Sequence, residues 1–122
     1  MRKGTCVAIL AMAASLACAP EPAATDAGAR GRQVYQRNGC GTCHEPGLGN
    51  LFRAVGPPLD HIGTVAASRR SGLSAEDYLR QSIVDPGAFV VPGYPDSMPR
   101  GLQDRLSGED LAALVSYLSS LR

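Results

Sequence analysis

Residues 40 to 44 read Cys-Gly-Thr-Cys-His. Two thiols three positions apart can each add across a vinyl group of one porphyrin, and the histidine that follows is then held against the iron, which is the chemistry of c-type haem attachment. No other feature restricts the fold so much, because a chain welded to a rigid macrocycle at these positions must close around it. Two other uses of the pattern fit the chain less well. A thioredoxin-like dithiol normally ends a strand within a βαβ unit, and nothing here alternates strand with helix. Zinc needs four ligands at finger spacings, and apart from Cys6 and Cys18 near the N-terminus the chain offers only Cys40, Cys43, His44 and His61, with two of these adjacent.

The 122 residues divide into unequal parts. Arg2 and Lys3 precede an apolar run from Cys6 to Leu16, followed by small residues, which is the layout of an export signal over 1–17 and too short to span a bilayer comfortably. Ala14-Ser15-Leu16-Ala17-Cys18 is similar to a bacterial lipoprotein box, so Cys18 is the expected lipidation site, although Ser15 stands where Leu is usual. Residues 18–30 carry two Pro and no apolar side chain beyond Ala after the cysteine, which predicts a tether reaching about 35 Å at most when extended. The remaining segment, 31–122, is the expected folded domain. Cleavage before Cys18 removes two of the twelve basic residues against eleven acids, so the formal charge turns from +1 to −1. That excludes a nucleic-acid footprint and a strongly basic docking rim.

A domain this small with six aromatics and no Trp is short of core material, and a buried macrocycle supplies it. Three main helices are predicted. Gly31 to Arg37 presents Val34 and Tyr35 and stops at Asn38-Gly39. A second starts from the cap Ser74-Ala-Glu-Asp77, carries Tyr78, Leu79 and Ile83 on one face, and ends at Asp85-Pro86. The third is capped at Ser107 and repeats Leu111, Leu114, Val115, Leu118 and Leu121 on a single apolar face. Between them, 45–70 and 85–106 read as long Gly- and Pro-rich loops, an arrangement that needs a ligand to organise it. The fold class is therefore all-α, three helices and long loops around one covalent haem.

Gly31-Arg-Gln-Val-Tyr35, Cys40-Gly-Thr-Cys-His44, Gly56-Pro57-Pro58-Leu59, Tyr94-Pro-Asp-Ser-Met98-Pro99 and Leu114-Val-Ser-Tyr117-Leu118 occur in the order of the successive signatures of class I cytochromes c, and the chain resembles that family over nearly all of 31–122. Met98 is the single methionine beyond the leader, and the resemblance places the distal iron ligand there; His61 is the rival, giving a bis-His haem. Closing the 54-residue loop between His44 and Met98 costs about 3.5 kcal/mol in the logarithmic chain term, so local packing has to hold the thioether in place. The resemblance also implies that the carbonyl of Pro57, or of its neighbour Pro58, accepts a hydrogen bond from the proximal ring. Tyr94, Phe89, Phe52, Leu59 and Tyr117 are candidates for the haem pocket or for helix contacts. Arg53, Arg69, Arg70 and Arg100 are candidates for a propionate partner.

The function expected from this is not enzymatic. It is a one-electron carrier of a bacterial respiratory chain with haem c between His44 and Met98, exported to the periplasm or the outer membrane face, lipid-anchored, and exchanging electrons with a reductase and a terminal oxidase. It binds neither nucleic acid nor a small-molecule substrate. Two alternatives stand beside it: a cytochrome subunit held permanently in an oxidase or reductase complex, suggested by the segment from Ser82 to Pro99, and a peroxidase-like haem enzyme with an open distal position.

Overall fold

Two helices 80 residues apart in sequence meet at the centre of the protein. The structure, a computed structural model, describes residues 27–45 and 55–122. Within it α1 (Ala27–Arg37) crosses α5 (Gly108–Ser120), and α2 (Gly41–His44), α3 (Ile62–Arg69) and α4 (Ala75–Val84) complete an all-α fold, with no strand among the described residues. Short 3-10 turns follow α4 at Pro86–Ala88 and precede α5 at Leu102–Asp104.

The crossing is made close by a glycine. A Cβ at Gly31 would lie 2.5 Å from Tyr117 Cβ and 2.8 Å from the carbonyl carbon of Ala113, and would collide with the Ala113 carbonyl oxygen. The backbones therefore touch where any side chain would prop them apart. Beside this contact Val34 is fully buried, and Tyr35 packs edge-on against Tyr117 with ring centroids 5.8 Å apart. Arg30 adds two ion pairs across the crossing, to Asp110 and Glu109, both at 2.9 Å.

Helix starts follow their local chemistry. The Ser74 hydroxyl oxygen accepts from the amide of Asp77 at 3.1 Å, and that of Ser107 accepts from the amide of Asp110 at 3.0 Å, each covering a donor the helix cannot satisfy itself. Leu114, Val115 and Leu118 of α5 are buried with Ile83 and Leu79 of α4, while Leu111 and Leu121 lie half-buried at the edges of the same stripe.

Two expectations need correction. Helix α1 begins at Ala27, four residues before the predicted start at Gly31, so Ala27–Arg30 form helix and not the end of the tether; the ion pairs of Arg30 hold this turn down. Helix α3 occupies part of the expected loop 45–70. His61, at the cap position before it, makes no side-chain cap, and the helix is held by burying Ile62 and Ala66 and by the Gly63 amide donating to the Leu121 carbonyl at 2.9 Å. No described helix is long and apolar enough to cross a membrane. The expected signal 1–17, the Cys18 lipidation site, Phe52 and Arg53 lie outside the described residues.

Candidate haem site

Between α1, α2, α4 and the loop before α5 lies a cavity of about 340 Å³, within the size range of cofactor sites. Its wall begins where α1 ends. The Cys40 amide donates to the Tyr35 carbonyl at 3.2 Å, and the Cys40 carbonyl in turn accepts from the amides of Cys43 and His44, so residues 40–44 wind as one helical turn. That winding sets Cys40 and Cys43 three residues apart on one side of the turn. Both thiols are free of any disulfide and both line the cavity with His44. Burial pushes the Cys40 thiol above its ordinary pKa, which is the opposite of the activated thiolate a redox dithiol needs.

The histidine is held from two sides. Its Nδ1 donates to the Pro57 carbonyl oxygen at 2.7 Å, which leaves Nε2 as the unprotonated nitrogen with its lone pair available to a metal. Gly56 lies against the ring: a Cβ at this position would come within 2.7 Å of Cε1 and 2.8 Å of Nδ1. The Gly56 amide donates to the Cys43 carbonyl at 3.1 Å, which ties this segment to α2. Of the two candidate carbonyls it is that of Pro57 that receives the ring proton.

Met98 lines the same cavity and is half-buried against the core. Gly93 and Gly101 bracket its loop, both in the left-handed region at φ of 91° and 78°, where a side chain would be strained. Within the loop the Tyr94 amide donates to the Val91 carbonyl at 3.1 Å, and Arg100 pairs with Asp96 at 2.8 Å. His61 is elsewhere. It stands 68% exposed beside Asp60 and does not reach the wall.

Of the residues expected in the pocket or at helix contacts, Phe89, Tyr94 and Leu59 line this cavity, whereas Tyr117 makes a helix contact instead. Its ring is taken up by Tyr35 on one side and by the Arg32 guanidinium, 5.7 Å from the ring centroid, on another. Among the described arginine candidates Arg69 alone lines the cavity; Arg70 donates to the Gln81 side-chain oxygen and Arg100 to Asp96. Arg105 lines the wall too, and no sequence signal pointed to it. Its place depends on how the turn at Leu102–Asp104 folds back, which is a tertiary matter.

An apolar cavity walled by two sulfurs one helical turn apart, with an imidazole and a thioether available to iron, fits what a c-type haem demands of an all-α domain. The sequence comparisons put the chain in a known group. The profile described as cytochrome c matches residues 28–122, and the chain belongs to the cytochrome c family, whose class I monohaem members carry haem c covalently bound. It is also similar, at 33% identity over 97 residues, to cytochrome c oxidase subunit 2 of Alkalihalophilus pseudofirmus. That alignment takes in 76% of this chain and 25% of the relative, so the chain spans about a quarter of the relative's length. Family membership implies haem-based electron transfer.

Proposed function

We propose that this domain carries single electrons within a bacterial respiratory chain, with Cys40 and Cys43 bonded to the haem and with His44 and Met98 as the two iron ligands. One observation carries the reading: all four side chains line one cavity, although Met98 is 54 residues from His44 in the chain. Haem c supplies a ferric/ferrous couple. The protein's part is to fix its surroundings. Pro57 and Gly56 hold the His44 ring in one tautomer and one orientation. The neutral Met98 thioether favours ferrous iron and so raises the reduction potential, which suits the oxidising end of such a chain. With both ligands in place no substrate reaches the metal. Val55, on the cavity wall and 45% exposed, offers a partner an apolar contact at the rim.

Met98→Ala tests the assignment. The variant should keep its covalent haem on a denaturing gel, lose the near-red ferric band of thioether ligation, and fall in potential. An unchanged band and potential refute it.

The similarity to an oxidase subunit favours a second reading, in which the same domain sits permanently within a terminal oxidase. Mild detergent extraction separates the two, since a subunit comigrates with a large complex and a carrier runs as a small haem protein. Export, with Cys18 lipidated as the anchor to the outer membrane face, belongs to either reading and is tested by mass spectrometry of the mature chain.

A further inference from the structure

The stretch that carries Met98 is joined to the rest of the protein by few bonds. Among the described residues the backbone of 95–100 makes one hydrogen bond, from the Ser97 amide to the Pro95 carbonyl at 3.0 Å, and that bond stays within the stretch. Pro95 and Pro99 have no amide hydrogen to donate, and Gly93 and Gly101 on either side stand in the left-handed region. The loop must deliver a thioether to a site 54 residues from His44, yet its backbone has no tie to a neighbouring element.

One side chain supplies that tie. Arg100, two residues after Met98, donates from Nη2 to Oδ2 of Asp96, two residues before it, at 2.8 Å, so the pair closes the loop across the methionine. The same guanidinium lies against the 3-10 turn at Pro86–Ala88: a Cβ at Gly87 would stand 2.5 Å from its Nη2 and 3.4 Å from its Cζ. Pro86 of that turn is buried, which makes the turn a firm anchor. The pKa of Arg100 is raised by the hydrogen bond to Asp96 first, and to a lesser degree by the charge of Asp85 at the end of α4. We infer that Arg100 is a positioning residue that straps the Met98 loop to the turn after α4 and so keeps the thioether on the iron. This rests on Met98 being the distal ligand, as proposed above. Arg100 is 58% and Asp96 48% exposed, so the strap is weak in absolute terms. It matters because an outside ligand reaches the iron only in the fraction of molecules whose loop is open, and its apparent affinity scales with that fraction.

The test titrates the full-length ferric holoprotein with imidazole, a neutral ligand, and follows the loss of the near-red thioether band. Arg100→Gln should bind imidazole about two- to fivefold more tightly, the range an exposed ion pair spans. Arg100→Lys, which keeps a cation for Asp96, should fall between that variant and the parent. Asp96→Asn should shift the affinity in the same direction, and the double variant should go no further than the stronger single one. Arg30→Gln, which breaks two ion pairs at the crossing of α1 and α5, should leave the imidazole affinity unchanged, and this separates a local strap from a general loss of stability. An unchanged affinity in Arg100→Gln overturns the inference and leaves the ligand assignment standing, as does an equal rise in Arg30→Gln. Should Arg100→Gln fail to fold, Asp96→Asn takes its place: a rise in affinity supports the strap, and no change overturns it. A parent protein whose ferric form lacks the near-red band overturns both the assignment of Met98 and this inference.

Discussion

Gly31→Ala sets two effects of opposite sign against each other. Alanine in place of glycine inside a helix is worth up to about 1 kcal/mol in favour of folding, through propensity and through the unfolded state. In α1, however, the added methyl would lie 2.5 Å from Tyr117 Cβ and 2.8 Å from the Ala113 carbonyl carbon. Carbon atoms in contact prefer about 3.5 Å or more, so the two helices must part by about 1 Å at the crossing. What the methyl meets is backbone and a Cβ, neither of which can rotate away. Overpacking of this kind costs about 1–3 kcal/mol, more where rigid groups collide, and moving α5 also disturbs Val34 and the Tyr35–Tyr117 contact. The balance is a net loss of about 1–2 kcal/mol or more, and at about 4–8 °C per kcal/mol for a domain of this size the midpoint of thermal unfolding falls by roughly 4–16 °C. Thermal and denaturant unfolding of the holoprotein, followed by helical circular dichroism, measure it. A variant as stable as the parent, or more so, refutes the claim that the crossing is in backbone contact.

Gly56→Ala should act on the site and not on the helices: the new methyl pushes on the His44 ring, and the visible spectrum and potential change while the helical signal stays. An unaltered spectrum counts against the close approach of this segment to the imidazole. The guanidinium of Arg30 donates to Asp110 and holds its carboxyl below the ordinary value of 3.8, so the pair stabilises the fold above that value and its contribution is lost as pH falls through the lowered one. The stability gap between the parent and Asp110→Asn should therefore be present at neutral pH and close in acid below about pH 4; a gap that persists to pH 2 contradicts this.

What could be read in advance is what the chain encodes over short stretches. The pentapeptide at 40–44 declares its chemistry by spacing alone, and α4 and α5 announce themselves through Ser74, Ser107 and an apolar stripe one turn deep. The first turn of α1 is different. Ala27 to Arg30 offers no apolar face, and what holds it is an ion pair with a residue 80 positions away. Helix α3 is equally silent, since Gly63 and Thr64 argue against a helix and Ile62 and Ala66 gain their burial only from packing on α4 and α5. Tyr117 illustrates the same limit on the site: its place in a family-like motif left it open to the pocket or to a helix contact, and only the fold commits the side chain to α1. Arg69 could be named beforehand only as one of four arginines; what singles it out is the end of a helix that the sequence does not reveal.

The join between α1 and α5 also governs the order of events during biosynthesis. An eleven-residue segment with three arginines and two glycines is too short and too polar to stay helical by itself in water. Its companion α5 is made some 80 residues later, so the opening turn remains unwound until that helix is available to pack on it. Cys40 and Cys43 follow directly after α1, so the wall they form is completed only once α5 has joined the first helix.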